Sequence, residues 1–114
     1  MYRPPHAALQ DFYDFIESIF EHFEDQYLVM LGDMNIDALD INSTQTAYYA
    51  NLLESYGYTN EISLPTHVNQ VTNMDGSCLD HIVHNLHAST ESYVLSPNIS
   101  DHYAVAMLLY EAIL

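Results

Sequence analysis

Three short polar motifs stand at the ends of apolar runs or inside them. Gly32-Asp33-Met34-Asn35 follows Tyr27–Leu31, Asp80 and His81 sit within Leu79–Ile82, and Ser100-Asp101-His102 precedes the run Tyr103–Leu109. An apolar run that fits a buried strand and then releases a carboxylate, an amide or an imidazole delivers reactive groups to the rim of a packed sheet. Asp33 and Asn35 are two residues apart, so an extended segment sends both side chains to one face and puts a base beside a hydrogen-bonding amide. Gly32 lets the backbone turn there. Taken singly, the tetrapeptide is equally at home in an ordinary turn, where Asp, Asn and Gly are common. Ser100-Asp101-His102 is weaker alone, because Asp and His beside a strand often hydrogen-bond only to their neighbours. Asp80 is more telling: a carboxylate within an apolar strand needs a partner to offset its desolvation, and a histidine is the natural one.

The elements that must position these groups are legible in the hydrophobic spacing. Leu9, Phe12, Phe15, Ile16, Ile19, Phe20 and Phe23 recur at steps of three and four, which predicts a helix over residues 7–25 with an acidic back made by Asp11, Asp14, Glu17, Glu21, Glu24 and Asp25. Pro4 and Pro5 stand just ahead of it. That acidic run reads as a solvated face. Tyr27–Leu31 is short enough for a buried strand. A second helix is predicted with Asn42, Ser43 and Thr44 as capping candidates, Tyr48, Leu52, Leu53 and Tyr56 as its apolar side, and Gly57 as its stop. Strands then follow at Ile62–Leu64 and at residues 68–72, 79–84, 91–95 and 103–110, separated by Pro65, the Asn73-Met74-Asp75-Gly76 turn and Pro97-Asn98. The expected class is α/β, two helices with a mostly antiparallel mixed sheet, in one domain over residues 1–114.

Composition sets limits. A chain of 114 residues, 49% apolar, suffices for one real core. The lone Cys78 closes no internal disulfide, no apolar run approaches membrane-spanning length, and no apolar stretch follows a basic one at the start. An intracellular protein, cytoplasmic or nuclear, neither secreted nor embedded in a membrane, is therefore expected. Sixteen acidic residues against a single Arg and no Lys leave a formal net charge of −15, which opposes approach to a phosphate backbone. His81, His84 and His87 fall at every third position, but a strand running into a loop points them different ways, against a zinc site. Cys78 has no identifiable base beside it and reads as a small strand-edge residue.

Five segments together resemble a known family. Tyr2-Arg3-Pro4-Pro5, Leu31-Gly32-Asp33-Met34-Asn35-Ile36-Asp37, the stretch Gly57–Thr66 ending in Pro65-Thr66, Leu79-Asp80-His81-Ile82 and Ile99-Ser100-Asp101-His102-Tyr103 resemble, in order and spacing, the metal-dependent endonuclease/exonuclease/phosphatase superfamily with the DNase I-like fold. The similarity is greatest to the endonuclease domain that accompanies reverse transcriptases of non-LTR retrotransposons. The resemblance implies half of a four-layer α/β sandwich. It implies Asp33 as the residue that orients or deprotonates the attacking water and Asn35 as the holder of the scissile phosphate. His102 becomes the phosphate-contacting imidazole, Asp80 the carboxylate that fixes that imidazole, and Asp101, with Asp33, an acid near the metal. Tyr2 and Thr66 fall where relatives contact substrate. The implied cofactor is Mg²⁺ or Mn²⁺ and the implied partner DNA.

Relatives are about twice as long. Their first half brings a metal-binding glutamate in a Gln-Glu segment that has no counterpart here, so the chain corresponds to the C-terminal half of the domain. Little activity is expected from it alone, and a missing N-terminal half or a second copy would cover the face left open. Two other readings remain: a phosphatase or sphingomyelinase-like hydrolase of the same fold, which suits the acidic surface, and a non-catalytic acidic remnant or interaction domain. Where relatives carry Arg after Pro-Thr, this chain has His67, and its seven histidines are the main reserve of positive charge. DNA affinity is therefore expected to rise steeply as pH falls below about 6.5 and imidazoles take up protons; fluorescence anisotropy of a labelled duplex checks this, and a flat profile contradicts it.

Overall fold

The computed structural model describes residues 1–4, 8–67, 76–87, 90–95 and 102–109. Seven elements are formed in chain order: α1 (Leu9–His22), β1 (Val29–Asp33), α2 (Thr44–Ser55), β2 (Thr59–Asn60), β3 (Asp80–His84), β4 (Thr90–Leu95) and β5 (Ala104–Leu109). The strands make two antiparallel ladders, one ordered β1-β3-β2 and the other β4-β5. The class is mixed α/β, as the spacing predicts.

Helix α1 buries Phe12, Tyr13, Ile16 and Phe20. Phe15, expected in the stripe, is exposed, and Tyr13 takes its place, its hydroxyl donating to the Gln45 carbonyl. The acidic back is solvated: Asp11, Asp14, Glu21, Glu24 and Asp25 are all exposed. Helix α2 starts at Ser43, whose side chain accepts from the Thr46 amide, and buries Thr46, Tyr49, Leu52 and Leu53. Tyr48, expected inside, is exposed, because the buried face runs through positions three and four apart from Thr46 and leaves it on the flank. The helix ends as Gly57 predicts. With φ +80°, Gly57 lets its own amide reach the Glu54 carbonyl and the Tyr58 amide reach the Leu53 carbonyl, the paired closure of a Schellman end.

The first strand begins two residues later than expected. Tyr27 is 74% exposed and the ladder runs through Gly32 and Asp33, whose partners on β3 are His81 and Asp80. Ile62–Leu64 is not a strand. The Glu61 amide still donates to the Ile82 carbonyl, but Asn60 turns its side-chain oxygen onto the Ile62 amide, which takes Ile62 out of the ladder although it stays buried. The expected strand at 68–72 and the turn residues Asn73–Asp75 lie outside the described residues.

Alternation along β1 and β3 divides the ladder into two faces. Met30 and Val83 join both helices in the main core with Phe12, Ile16, Phe20, Tyr49 and Leu53. Ile82 points the other way and packs with Cys78 and Ile62 against Val94, Val105 and Met107 of the second ladder. On that same outer face Val29 and Leu31 stay exposed, so only part of it is covered. Among the described residues no helix is long and apolar enough to cross a membrane.

His81 belongs to the helix side. It has no exposed surface, with Nδ1 3.1 Å from the Tyr49 hydroxyl and Nε2 2.9 Å from the Cys78 carbonyl. Burial pushes its pKa below the ordinary imidazole value, against the opposing pull of the Cys78 and Ile36 carbonyls and of Asp80 and Asp33. The unfolded chain therefore binds a proton at His81 that the folded chain refuses, so this contribution to stability is complete above about pH 6.5 and declines as pH falls below it. Thermal melts should show a lower Tm at pH 5.5 than at 7.5. The His81→Asn variant, destabilised by ~1–3 kcal/mol at pH 7.5 through lost hydrogen bonds, should show a shallower decline.

Candidate active site

Asp33 ends β1 and Asp80 begins β3, and the register sets them directly opposite one another. Both project from the face turned away from the helices, because Gly32 and His81, one step along, occupy the helix face. Two carboxylates placed across a ladder repel one another and call for a cation in between. His102 stands there, just before β5: its Nδ1 is 2.7 Å from Asp80 Oδ2 and its Nε2 3.7 Å from Asp33 Oδ2. A short contact from Nδ1 to a carboxylate fixes the proton on Nδ1 and turns Nε2 toward Asp33. All three side chains are partly accessible.

Asn35 does not continue the strand. It has φ +51°, a left-handed conformation that Asn tolerates better than most residues, and its amide nitrogen donates to Asp33 Oδ1 at 3.0 Å. The expectation of an extended Asp-x-Asn therefore gives way to a turn closed by Asp33 itself, and the Asn35 side chain donates to the Arg3 carbonyl at 2.7 Å. Arg3 returns the grip: its guanidinium donates to the Met34 and Asn35 carbonyls and lies 5.6 Å from the centre of the Phe12 ring. The sole Lys or Arg of the chain is thus 94% buried as a backbone clamp.

Tyr2 is 63% exposed, and its backbone bridges in parallel to Asp33, with Arg3 N donating to the Asp33 carbonyl. Thr66 is fully buried, and its hydroxyl accepts from the Leu79 and Asp80 amides, both at 3.0 Å. Asp101 lies outside the described residues.

Four further residues shape the site. Asp37 Oδ1 accepts the Leu39 and Cys78 amides and so ties the Asp33–Asn35 turn to the lead-in of β3. His67 bridges to His102 along the backbone, and the two rings meet edge to face at 4.7 Å. His81 and Arg3 act from the core side. All four lie in or beside the motif segments, Arg3 after Tyr2, Asp37 after Ile36, His67 after Pro65-Thr66 and His81 after Asp80, but residue type alone gave them no part in the site.

Cys78 is buried, and burial, reinforced by Asp37 and Asp80, pushes its thiol up to about 12. That fits the inert reading. The three spaced histidines separate as expected: His81 enters the core, His84 pairs with Glu61 at 2.6 Å, and His87 stands exposed beside Tyr27.

One ligand atom from each of Asp33, Asp80 and His102 lies within 4.8 Å of the others. Two carboxylate oxygens and an imidazole nitrogen, with repulsion that a cation relieves, fit a divalent ion.

The family model described as endonuclease-reverse transcriptase matches residues 1–106. The chain belongs to that family, within the endonuclease/exonuclease/phosphatase superfamily and of the retrotransposon type, and its architecture is that of part of a DNase I-like fold. No curated protein matches it.

Removing one of the facing charges should stabilise the metal-free protein. Asp33→Asn keeps an oxygen for the Asn35 amide and relieves the repulsion, so Tm at pH 7.5 in EDTA is expected to rise by the equivalent of about 0.5–1 kcal/mol. A fall in Tm on calorimetry would show that Asp33 is already fully compensated.

Proposed function

We propose that this chain carries the water-positioning and phosphate-orienting side of a metal-dependent phosphodiester hydrolase, a DNA endonuclease by family. The convergence of Asp33, Asp80 and His102 supports this reading. Asp33, anchored through Oδ1, keeps Oδ2 for an attacking water. Asn35 spends one amide hydrogen on the Arg3 carbonyl and retains a second for a phosphate oxygen. Asp80 holds the imidazole in one tautomer so that the Nε2 edge of His102 meets the substrate. Thr66 is assigned to Asp80, whose backbone it fixes, and not to substrate contact. Tyr2, exposed beside Asp33, is assigned to the substrate's flank. A divalent ion, Mg²⁺ or Mn²⁺, supplies charge neutralisation on the phosphate oxygens when bound, with Asp33 and, by resemblance, Asp101 as ligands.

With Arg3 buried, the chain presents no Lys or Arg to a polymer. That observation favours a second reading, a phosphatase-type hydrolase of the same fold acting on a small phosphoester, and it also supports weak turnover on DNA by this chain alone.

The test combines binding and turnover. NMR titration with a short oligonucleotide in Mg²⁺ is expected to shift His102 and Asp33, with nicking of supercoiled plasmid barely above background. Failure of the oligonucleotide to perturb either residue overturns the nuclease reading, and a response to small phosphoesters only selects the second. Nicking that survives both Asp33→Ala and His102→Ala overturns the residue assignment, whereas robust nicking that Asp33→Ala reduces by 10² or more overturns only the claim of weak turnover.

A further inference from the structure

A cavity of about 370 Å³ opens at the end of the β1-β3 ladder remote from Asp33 and Asp80, lined by the segments that follow α1, α2 and β3. That volume suits a small ligand. Tyr27, Tyr56 and His87 supply rings to its walls, and Glu24 and Asp25 supply acids. The walls are set before any ligand arrives. Asn85 accepts the Leu28 amide and donates to the Gln26 carbonyl, both at 2.8 Å, so the two neighbours of Tyr27 are tied to the end of β3. His87 meets the Tyr27 ring edge to face at 6.4 Å. Tyr56 packs on Phe20 at 5.3 Å, and its hydroxyl is shared between Glu17 at 3.3 Å and Glu21 at 3.2 Å, which sets two more carboxylates beside that wall.

The backbone adds to the negative potential. Helices α1 and α2 run side by side in one direction, since Phe12 and Tyr13 meet Tyr49 and Tyr48 while Phe20 meets Tyr56 further on. Their C-termini, which carry partial negative charge on the last carbonyls, therefore fall together beside the cavity. In the last turns of the two helices only His22 is basic, and Arg3 is buried elsewhere as a clamp. These acids do not form a metal cage: among the described residues only Asp33, Asp80 and His102 bring three ligand atoms together. Carboxylates spread along aromatic walls suit an extended organic cation, whose ammonium groups are drawn to ring faces as well as to acids.

We propose that this cavity binds a linear polyamine, its ammonium groups on the carboxylates at either side and its methylene chain along the rings of Tyr27 and Tyr56. The site shares no residue with the hydrolytic one. A polycation held there offsets part of the net charge of −15.

The test is an NMR titration with spermidine at about 0.1 M NaCl, where attraction between distant exposed charges is screened. The rings of Tyr27, Tyr56 and His87 and the amides of Glu24 and Asp25 are expected to shift together and to saturate. Propylamine, with one ammonium group, should bind ~10-fold more weakly. Tyr27→Ala, at a position 74% exposed and so tolerant of change, should weaken spermidine binding ~2–5-fold. Glu24→Gln combined with Asp25→Asn should weaken it ~3–10-fold. Asp11→Asn combined with Asp14→Asn removes the same charge from the start of α1 and should alter affinity less than ~2-fold. Shifts spread over the acidic surface without saturation, or an equal loss in the Asp11 and Asp14 variant, overturn the proposal in favour of general charge attraction. Unchanged affinity in folded Tyr27→Ala overturns it too, because the ring then takes no part. None of these readouts depends on oligonucleotide binding or nicking, so the two readings fail separately.

Discussion

Two carboxylates facing each other across a pair of strands are the constraint around which this site is built. Asp33 and Asp80 are exact register partners at the end of the β1-β3 ladder, where side chains stand roughly 5 Å apart. Each has a neighbouring amide fixed in place, Asn35 N on Asp33 Oδ1 and Asp80 N on the Thr66 hydroxyl, so neither strand end can relax by turning away. What remains is an electrostatic demand for positive charge in the gap. The imidazole of His102 answers part of it, and a cation at the same place answers it more fully. A surface with this demand is poor at stabilising itself and well suited to holding something cationic.

The same economy governs the chain's single strong cation. Arg3 could have been spent on the surface to attract anions; instead it lies against Phe12 and holds the Met34 and Asn35 carbonyls. Its position depends on Gly32, because a Cβ there would collide with the Met1 carbonyl and push the leading segment off β1. Gly32, Arg3 and Asn35 thus form one device: close backbone approach brings Arg3 in, Arg3 steadies a turn that has left the extended region, and that turn aims Asp33. The exterior is left almost wholly acidic, which repels polyanions and attracts metal cations.

Much of this was legible in the residues. The two helices follow from apolar spacing, and Gly57 marks the end of α2 because only a residue at ease with positive φ permits the closure seen there. That Asp80 meets a histidine follows from the cost of a lone carboxylate in an apolar strand, and that the histidine is His102 follows from the family resemblance. Other features are set by tertiary partners and leave little local signal. Tyr13 displaces Phe15 from the core because the Gln45 carbonyl receives its hydroxyl. The Asn60 side chain accepts the Ile62 amide and so takes it from the ladder, a competition that hydrophobicity does not record. Thr66 resembled a substrate contact by position, and only the fold reveals that the Leu79 and Asp80 amides occupy its hydroxyl.

Strand β3 shows why chemistry and core are inseparable here. Asp80 and Ile82 point to the outer face, His81 and Val83 to the helices, so one alternating stretch of four residues serves the site, the second ladder and the main core at once. A slip of one residue would bury Asp80 under the helices without a partner and expose His81, exchanging every favourable contact for an unfavourable one. The His81 bonds to Tyr49 and Cys78 resist that slip from the core side, and the Thr66 hydroxyl resists it from the other. The precision with which Asp80 meets His102 is therefore set by residues that never touch the gap between the carboxylates, and substitutions in the core pocket around His81 act on the site through register.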